Sequence, residues 1–278
     1  MATAISVQQL SVRFGGRRPV HALHPLDLAV DRGRIVGVLG PNGSGKTTLL
    51  RALAGLQPIS GGTARILDLP PGHPELRRRF AFQPEGALPF GVLSAPEFLA
   101  WVGARLGLPN ADADERAARW LARLDLEHAG RRWLRTFSTG MQKRLALAAA
   151  LLGDPEVLLL DEPTAGLDPA GSATVIEILR ERRAAGTTVL MASHHLLEVE
   201  ESCDEVIVLQ RGRVRARGTF AELLGTDAHK LVVRGLDAER LDRLAATARE
   251  LGGEVVRTEP EREHLFALFR RLAEEPDR

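Results

Sequence analysis

The 278-residue chain has no tyrosine, one cysteine, three methionines and only 4% aromatic residues. A lone Cys203 permits no disulfide within the chain, which excludes a small stapled scaffold and fits a reducing compartment. The thiol reads as a small buried hydrophobe. An excess of one charge is also missing, with 37 Lys and Arg against 36 Asp and Glu for a formal net charge of +1. That balance gives no global pull toward nucleic acid. The local clusters at Arg77, Arg78 and Arg79 and at Arg131, Arg132 and Arg135 read as solvated faces or partner contacts. No run reaches the roughly 18 to 20 apolar residues that a membrane-crossing helix requires. The longest, at residues 145–152, reads as a buried helix, and the opening MATAISVQQL lacks the regions of a secretory signal. Any membrane span that the chain works with is therefore expected on another polypeptide. What is present is 44% hydrophobic residues, enough for a sizeable core, and a length that admits one large α/β domain with a small appendage.

Residues 40–47 read GPNGSGKT, in which Gly40, Gly45, Lys46 and Thr47 satisfy the G-x4-G-K-[ST] pattern of a phosphate-binding loop. The apolar run 35–39 reads as a buried strand and 47–54 as a helix stopped by Gly55, so the loop lies at a strand-to-helix turn. There the first-turn N–H groups lack intrahelical partners and face an anion, reinforced by the helix dipole. Gly43 and Gly45 allow close backbone approach, Lys46 is expected to reach the outer phosphates, and the Thr47 hydroxyl to ligate Mg²⁺. A chance match to this pattern in a chain of this length is roughly a one-in-a-hundred event at average composition. The strand-loop-helix context makes it rarer.

A second apolar strand, 157–160, ends on Asp161 and Glu162. Carboxylates at the carboxyl end of a parallel strand face the crevice where ligands bind in open α/β sheets. Asp161 is expected to hold Mg²⁺ through water, and Glu162 to polarise an attacking water as general base. Alone, such a pair is as readily a solvated strand end. The upstream phosphate loop favours the catalytic reading.

With FSTGMQKRL at residues 137–145 and LDEPTAGLDP at 160–169, the chain resembles the nucleotide-binding subunits of ABC transporters over roughly residues 4–224. The resemblance implies a P-loop NTPase with a RecA-like parallel core, an antiparallel β subdomain and a helical insertion, binding ATP and Mg²⁺. It assigns ATP contacts to Gly40, Pro41, Asn42, Gly43, Ser44, Gly45, Lys46, Thr47 and Thr48 of the loop. In the signature motif, usually close to LSGGQ, it matches Ser138 and Gly140, with Thr139 and Met141 departing from the pattern and Gln142 following directly. Ser138 also reads as the N-cap of a helix from about Gly140 to Leu152, a second anion site at a helix N-terminus. In the family that turn meets the γ-phosphate held by a partner chain, so two ATP are sandwiched in a head-to-tail homodimer or heterodimer. Asp168 matches the aspartate that couples the two sites.

Two adjacent histidines, in SHHLLEVE, compete for the family's switch position. In relatives the switch histidine stands four residues before the glutamate that Glu198 resembles, which selects His194 and leaves His195 as a helix-start residue. Phe14 falls where relatives stack an aromatic on adenine; otherwise it is a half-buried strand residue. For the glutamine loop, Gln83 is the obvious candidate, but ungapped counting from Ser94, Glu97 and Leu99 puts Glu85 at that position. A carboxylate there would contribute to the metal site alongside Thr47 and Asp161 and add negative charge near the phosphates.

Residues 5–13, 26–30 and 63–67 are expected to form the antiparallel sheet over the base, and 35–39, 157–160, 188–191 and 206–209 the parallel core. A helical insertion spans about 94–152, with helices over 93–106 and 115–124, the second capped by Asp112 or Asp114. After an ATPase domain at 1–225, residues 226–278 read as a small α/β extension: strand 230–234, helix 237–251, a stop at Gly252 and Gly253, strand 254–257 and helix 262–273. It resembles the extension of ATPases that serve drug, lipid or polysaccharide exporters.

The resemblance thus implies an ATP-hydrolysing motor subunit that drives a separate integral membrane permease, exporting substrate, from a peripheral position on the cytoplasmic face of the membrane and without nucleic acid. The alternative is a soluble ABC-type ATPase acting on ribosomes or DNA, whose relatives carry two nucleotide domains, a long coiled coil or a zinc hook that are not seen here. A P-loop kinase ranks last, having no use for residues 137–141 or His194.

Overall fold

The computed structural model describes residues 2–15, 19–86, 88–225, 233, 235, 237–252 and 254–255. The chain divides into two compact units, Met1–Leu224 and Gly225–Arg278.

In the first unit, β1 (Thr3–Phe14), β2 (Val20–Asp31) and β4 (Gly61–Ile66) form an antiparallel sheet in the order β2-β1-β4. Its alternating pattern buries Ile5, Val7, Leu10 and Val12 on one face. The larger sheet runs β5 (Phe80–Gln83), β6 (Val157–Asp161), β7 (Thr188–Ser193), β3 (Ile35–Leu39), β8 (Glu205–Gln210), β9 (Arg213–Gly218). Its first five strands pair in parallel and β9 closes the edge antiparallel. The central strands are apolar at successive residues because both faces are covered. Ile35, Leu158, Leu160, Val189 and Met191 pack into one core cluster, while Val36, Val38, Val157, Leu159, Leu190 and Ala192 pack into another. The first cluster is shared with the helical insertion and the second with the antiparallel sheet, so the parallel sheet is the common wall. This is the α/β architecture expected of a P-loop core.

The helices are α1 (Lys46–Leu53), α2 (Ala95–Leu106), α3 (Asn110–Arg123), α4 (Thr139–Leu151), α5 (Pro169–Ala184), α6 (Leu196–Ser202), α7 (Phe220–Leu224) and, in the second unit, α8 (Ala238–Glu250). Among the described residues, none is long and apolar enough to cross a membrane.

Several boundaries depart from expectation. Helix α2 starts after Ser94, where Ser94 and Glu97 form a capping box: Ser94 N and Oγ donate to Glu97 Oε2 at 2.8 and 2.7 Å. Neither Asp112 nor Asp114 caps α3. That helix begins at Asn110, because Pro109 in extended backbone launches it without a side-chain cap. Strand β2 is twelve residues long where only 26–30 was expected, its first half being largely exposed. Strands β5 and β9 were not anticipated at all. In the second unit α8 is present, with Asp237 Oδ1 accepting from Arg240 N at 2.9 Å. Of the expected strands, 230–234 apart from Val233 and the second half of 254–257 lie outside the described residues, as does the helix at 262–273.

Candidate nucleotide site

The phosphate loop forms because β3 delivers the chain to a turn that only glycine can complete. Gly45 has φ +107°, and a Cβ there would stand 2.7 Å from Ala22 O and 2.8 Å from Leu23 Cδ2. At Gly40 a Cβ would meet Leu209 O at 2.1 Å. The loop is pressed between β2 and the end of β8, and α1 leaves it with Gly45 as N-cap and no side-chain cap. The first-turn N–H groups of α1 are thereby left to an incoming anion.

Around this helix end the described side chains converge. Lys46 is buried, and its Nζ donates to Gly40 O at 2.7 Å and stands 3.9 Å from Glu162 Oε1. Thr47 Oγ1 donates to Asp161 Oδ1 at 3.2 Å, while Asp161 Oδ2 and Ser44 Oγ are buried without partners among the described residues. Burial pushes the Asp161 carboxyl above its ordinary range, against the Thr47 hydrogen bond, which lowers it; the charges of Glu85 and Glu162 raise it further. A cation would offset that cost. Two orphaned buried oxygens, a carboxylate short of positive charge and an uncapped helix end are the chemistry of a phosphate and divalent-cation site. Thr47 and Asp161 fit Mg²⁺.

Glu162 has left-handed backbone, φ +52°, at the end of β6. That conformation costs a non-glycine residue on the order of 1 kcal/mol or more and turns its carboxylate into the crevice. His194, half exposed at the end of β7, places Nδ1 2.9 Å from Glu162 Oε2. The His195 ring lies tilted by 38° against His194, with 4.1 Å between ring centroids, and His195 is the N-cap residue of α6. Glu198, four residues beyond His194, accepts from Thr164 Oγ1.

The remaining sequence candidates lie on several elements. Gln83 is the last residue of β5, paired with Leu160, 1% exposed, with neither amide atom partnered among the described residues. Glu85 is exposed, and its charge bears on Asp161 and on Lys143. Phe14, 43% exposed, ends β1 opposite Val20, two residues from the Ala22 carbonyl beneath Gly45. Asp168 caps α5, its Oδ1 accepting from Gly171 N at 2.9 Å. Ser138 caps α4, accepting from Met141 N at 3.2 Å, and is exposed. Gly140 lies in α4's first turn against Gly166 and Leu167, where a Cβ would make contacts of 3.4 Å with each.

One member of the site went unnoticed in the sequence. Lys143, in α4, is buried, and its Nζ donates to Glu162 O at 2.8 Å and to Asp161 O at 3.5 Å. Desolvation pulls its pKa down, opposed by the charges of Glu85, Asp161 and Glu162. A lone lysine in a helix reads as solvated, so only its burial reveals it.

Comparison with known proteins agrees with this geometry. The ABC transporter family model matches residues 23–165. An uncharacterized ABC transporter ATP-binding protein of Synechocystis is 40% identical over 239 residues, covering 84% of this chain and 67% of that protein. The daunorubicin resistance ATP-binding protein DrrA3 of Streptomyces coeruleorubidus is 38% identical across 91% of this chain and 77% of its own length. The Nod factor export ATP-binding protein I of Ralstonia nicotianae is 36% identical across 96% and 81%. Among solved structures, an ATP-binding subunit of an ABC transporter superposes with a TM-score of 0.73 at 28% identity, covering 87% of this chain and 99% of that one. The phosphate loop, the paired carboxylates and these relatives agree: the chain belongs to the ABC transporter family as an ATP-binding subunit and an ATPase.

Proposed function

We propose that this ATPase is the motor of an exporter and works as a head-to-tail pair of subunits, homodimeric or heterodimeric, closing on two Mg-ATP. The observation that carries the reading is the contrast between one uncapped helix end, on which Lys46, Thr47, Asp161, Glu162 and His194 converge, and an exposed helix N-terminus, headed by Ser138, on another element. ATP is held by residues 40–48, with Phe14 under the base. Thr47 and Asp161 hold Mg²⁺, which when bound offsets phosphate charge, and Glu85 adds a carboxylate nearby. Glu162 takes the proton of the attacking water, with His194 fixing its free oxygen by the 2.9 Å contact. Ser138 and Gly140 of the other subunit meet the γ-phosphate, and Asp168 lies beside that junction.

The drive reaches a membrane permease through the surface next to Gln83. A groove of about 290 Å³ runs between β5, the segment after it, α2 and α4, lined by Phe82, Gln83, Leu88, Phe98, Val102 and Ala149. Apolar walls and an unpartnered amide suit a short amphipathic helix from a permease loop. Gln83 or Glu85 would then report nucleotide state to it. Relatives named for drug resistance and Nod factor export favour export, with the subunit peripheral on the cytoplasmic face.

The test is Glu162→Gln with Mg-ATP. Hydrolysis falls by about 10²- to 10⁴-fold, the range of a lost general base, while ATP binding persists and the chain elutes as a dimer. Normal turnover in a monomeric Glu162→Gln chain contradicts the reading.

A further inference from the structure

The catalytic carboxylate sits on backbone that does not hold itself. Glu162 is a non-glycine residue at φ +52°, beyond the last ladder pair of β6. Its N–H is fixed, donating to Ala192 O at 2.9 Å. Its carbonyl receives a weak 3.3 Å bond from Ala165 N and a strong one, 2.8 Å, from the Lys143 ammonium. Charge-assisted donors bind a carbonyl more tightly than amides do, and burial strengthens them further. Lys143 is 6% exposed and has no other acceptor among the described residues than the carbonyls of Asp161 and Glu162. A buried lysine that spends its ammonium on two adjacent carbonyls rather than on a carboxylate oxygen is placed to set backbone direction.

We infer that Lys143 is the positioning residue for Glu162. It clamps the carbonyl of the left-handed residue so that the carboxylate points at His194, and it ties α4, whose first turn carries Ser138 and Gly140, to the hydrolytic carboxylate of the same subunit. A displacement of α4 when its N-terminus is engaged moves the Lys143 ammonium and with it the Glu162 carbonyl, so engagement at one site is transmitted to hydrolysis at the other. The inference rests on the reading of Glu162 as the water-polarising base.

The experiment compares Lys143→Met, which keeps the apolar stem and removes the donor, with Lys143→Arg, in wild-type and Glu162→Gln backgrounds of the full chain. Lys143→Met is expected to lower kcat by about 100-fold, the scale of a misplaced catalytic group, while KM and Kd for Mg-ATP stay within about twofold. Lys143→Arg, with donor and charge restored, recovers most of the rate. In the Glu162→Gln background Lys143→Met lowers the residual rate no further, since the group it positions is gone. If Lys143→Met does not fold, Lys143→Leu, which also removes the donor, is read in its place for the same loss of kcat at constant KM. Wild-type kcat in the donor-less variant, or an equal loss in the Glu162→Gln background, overturns the inference alone. Normal turnover by Glu162→Gln by itself overturns the inference and the reading of Glu162 together.

Discussion

Two helices of this chain begin with the same physics and different surroundings. Helix α1 starts on Gly45 in left-handed backbone without a side-chain cap, and its first turn brings Thr47 to the Asp161 carboxylate at the end of β6 and Lys46 near that of Glu162 just beyond it. Helix α4 starts on Ser138 in extended backbone, its hydroxyl already accepting from Met141 N, and Ser138 is exposed. Both ends attract anions through unpaired N–H groups and the helix dipole. Only the first is furnished with the rest of the proposed hydrolytic site. An uncapped end surrounded by partly unsatisfied groups is built to be completed by a ligand; a capped, exposed end is complete as local structure and becomes a binding element only when something is brought to it. The comparison teaches that each half of the proposed sandwich can be broken without the other.

The largest effect is expected at the first end. Lys46→Ala removes the buried ammonium beside Glu162 and should weaken Mg-ATP binding by about 100-fold, ~2.8 kcal/mol, measured by titration calorimetry; binding within threefold of wild type would take Lys46 out of the phosphate site. Next is the histidine proposed to hold the base. His194→Ala should lower kcat by about 10- to 100-fold with little change in Kd, whereas His195→Ala, at the start of α6, should leave turnover near wild type. Equal losses in both would shift the switch role to the histidine pair.

Smaller effects sharpen the second end. Ser138→Ala should cost about 1 kcal/mol of folding stability through the lost cap, read by urea denaturation, yet leave ATP affinity of the isolated subunit unchanged. A loss of affinity in the monomer would mean that α4 serves its own subunit. The smallest effect concerns Cys203, behind β3: a Cβ at Gly37 would lie 3.1 Å from its Sγ. Burial pushes the thiol up from 9.0 to about 12. An unfolded thiol ionises above 9.0 while the folded one stays protonated, so the folded state binds more protons and loses stability as pH rises from 9.0 toward 12. Thiolate-directed labelling at pH 8 should accordingly be slow in the native chain and fast in denaturant. Rapid native labelling would show that the strand feeding the phosphate loop opens readily.

The two ends were not equally legible in the sequence, nor were the sheets. The phosphate loop shows because glycine, lysine and threonine are required at fixed spacing, and the parallel strands show because burial on both faces demands uninterrupted apolar residues. Strand β5 was hidden: FAFQ is four residues long and follows three arginines. Strand β9, RVRARG, alternates arginine with small apolar residues along an exposed edge and reads as polar loop. The start of α3 was misplaced because Asp112 and Asp114 are better caps than Pro109 by residue type, while the helix begins directly after Pro109 with no side-chain cap. In the site, Asp161 and Glu162 were visible as residue types at a strand end. The left-handed backbone of Glu162 and the buried reach of Lys143 were not, since both depend on how α4 packs against β6.

The central claim is that nucleotide is shared between the Gly45–Lys46 end of one subunit and the Ser138 end of its partner. Its most direct test is the mass of Glu162→Gln in Mg-ATP by light scattering, with and without Ser138→Arg. The account predicts a dimer that Ser138→Arg returns to monomer while each monomer still binds ATP through its own phosphate loop. A chain that stays monomeric with ATP bound, or a dimer indifferent to Ser138→Arg, would contradict it.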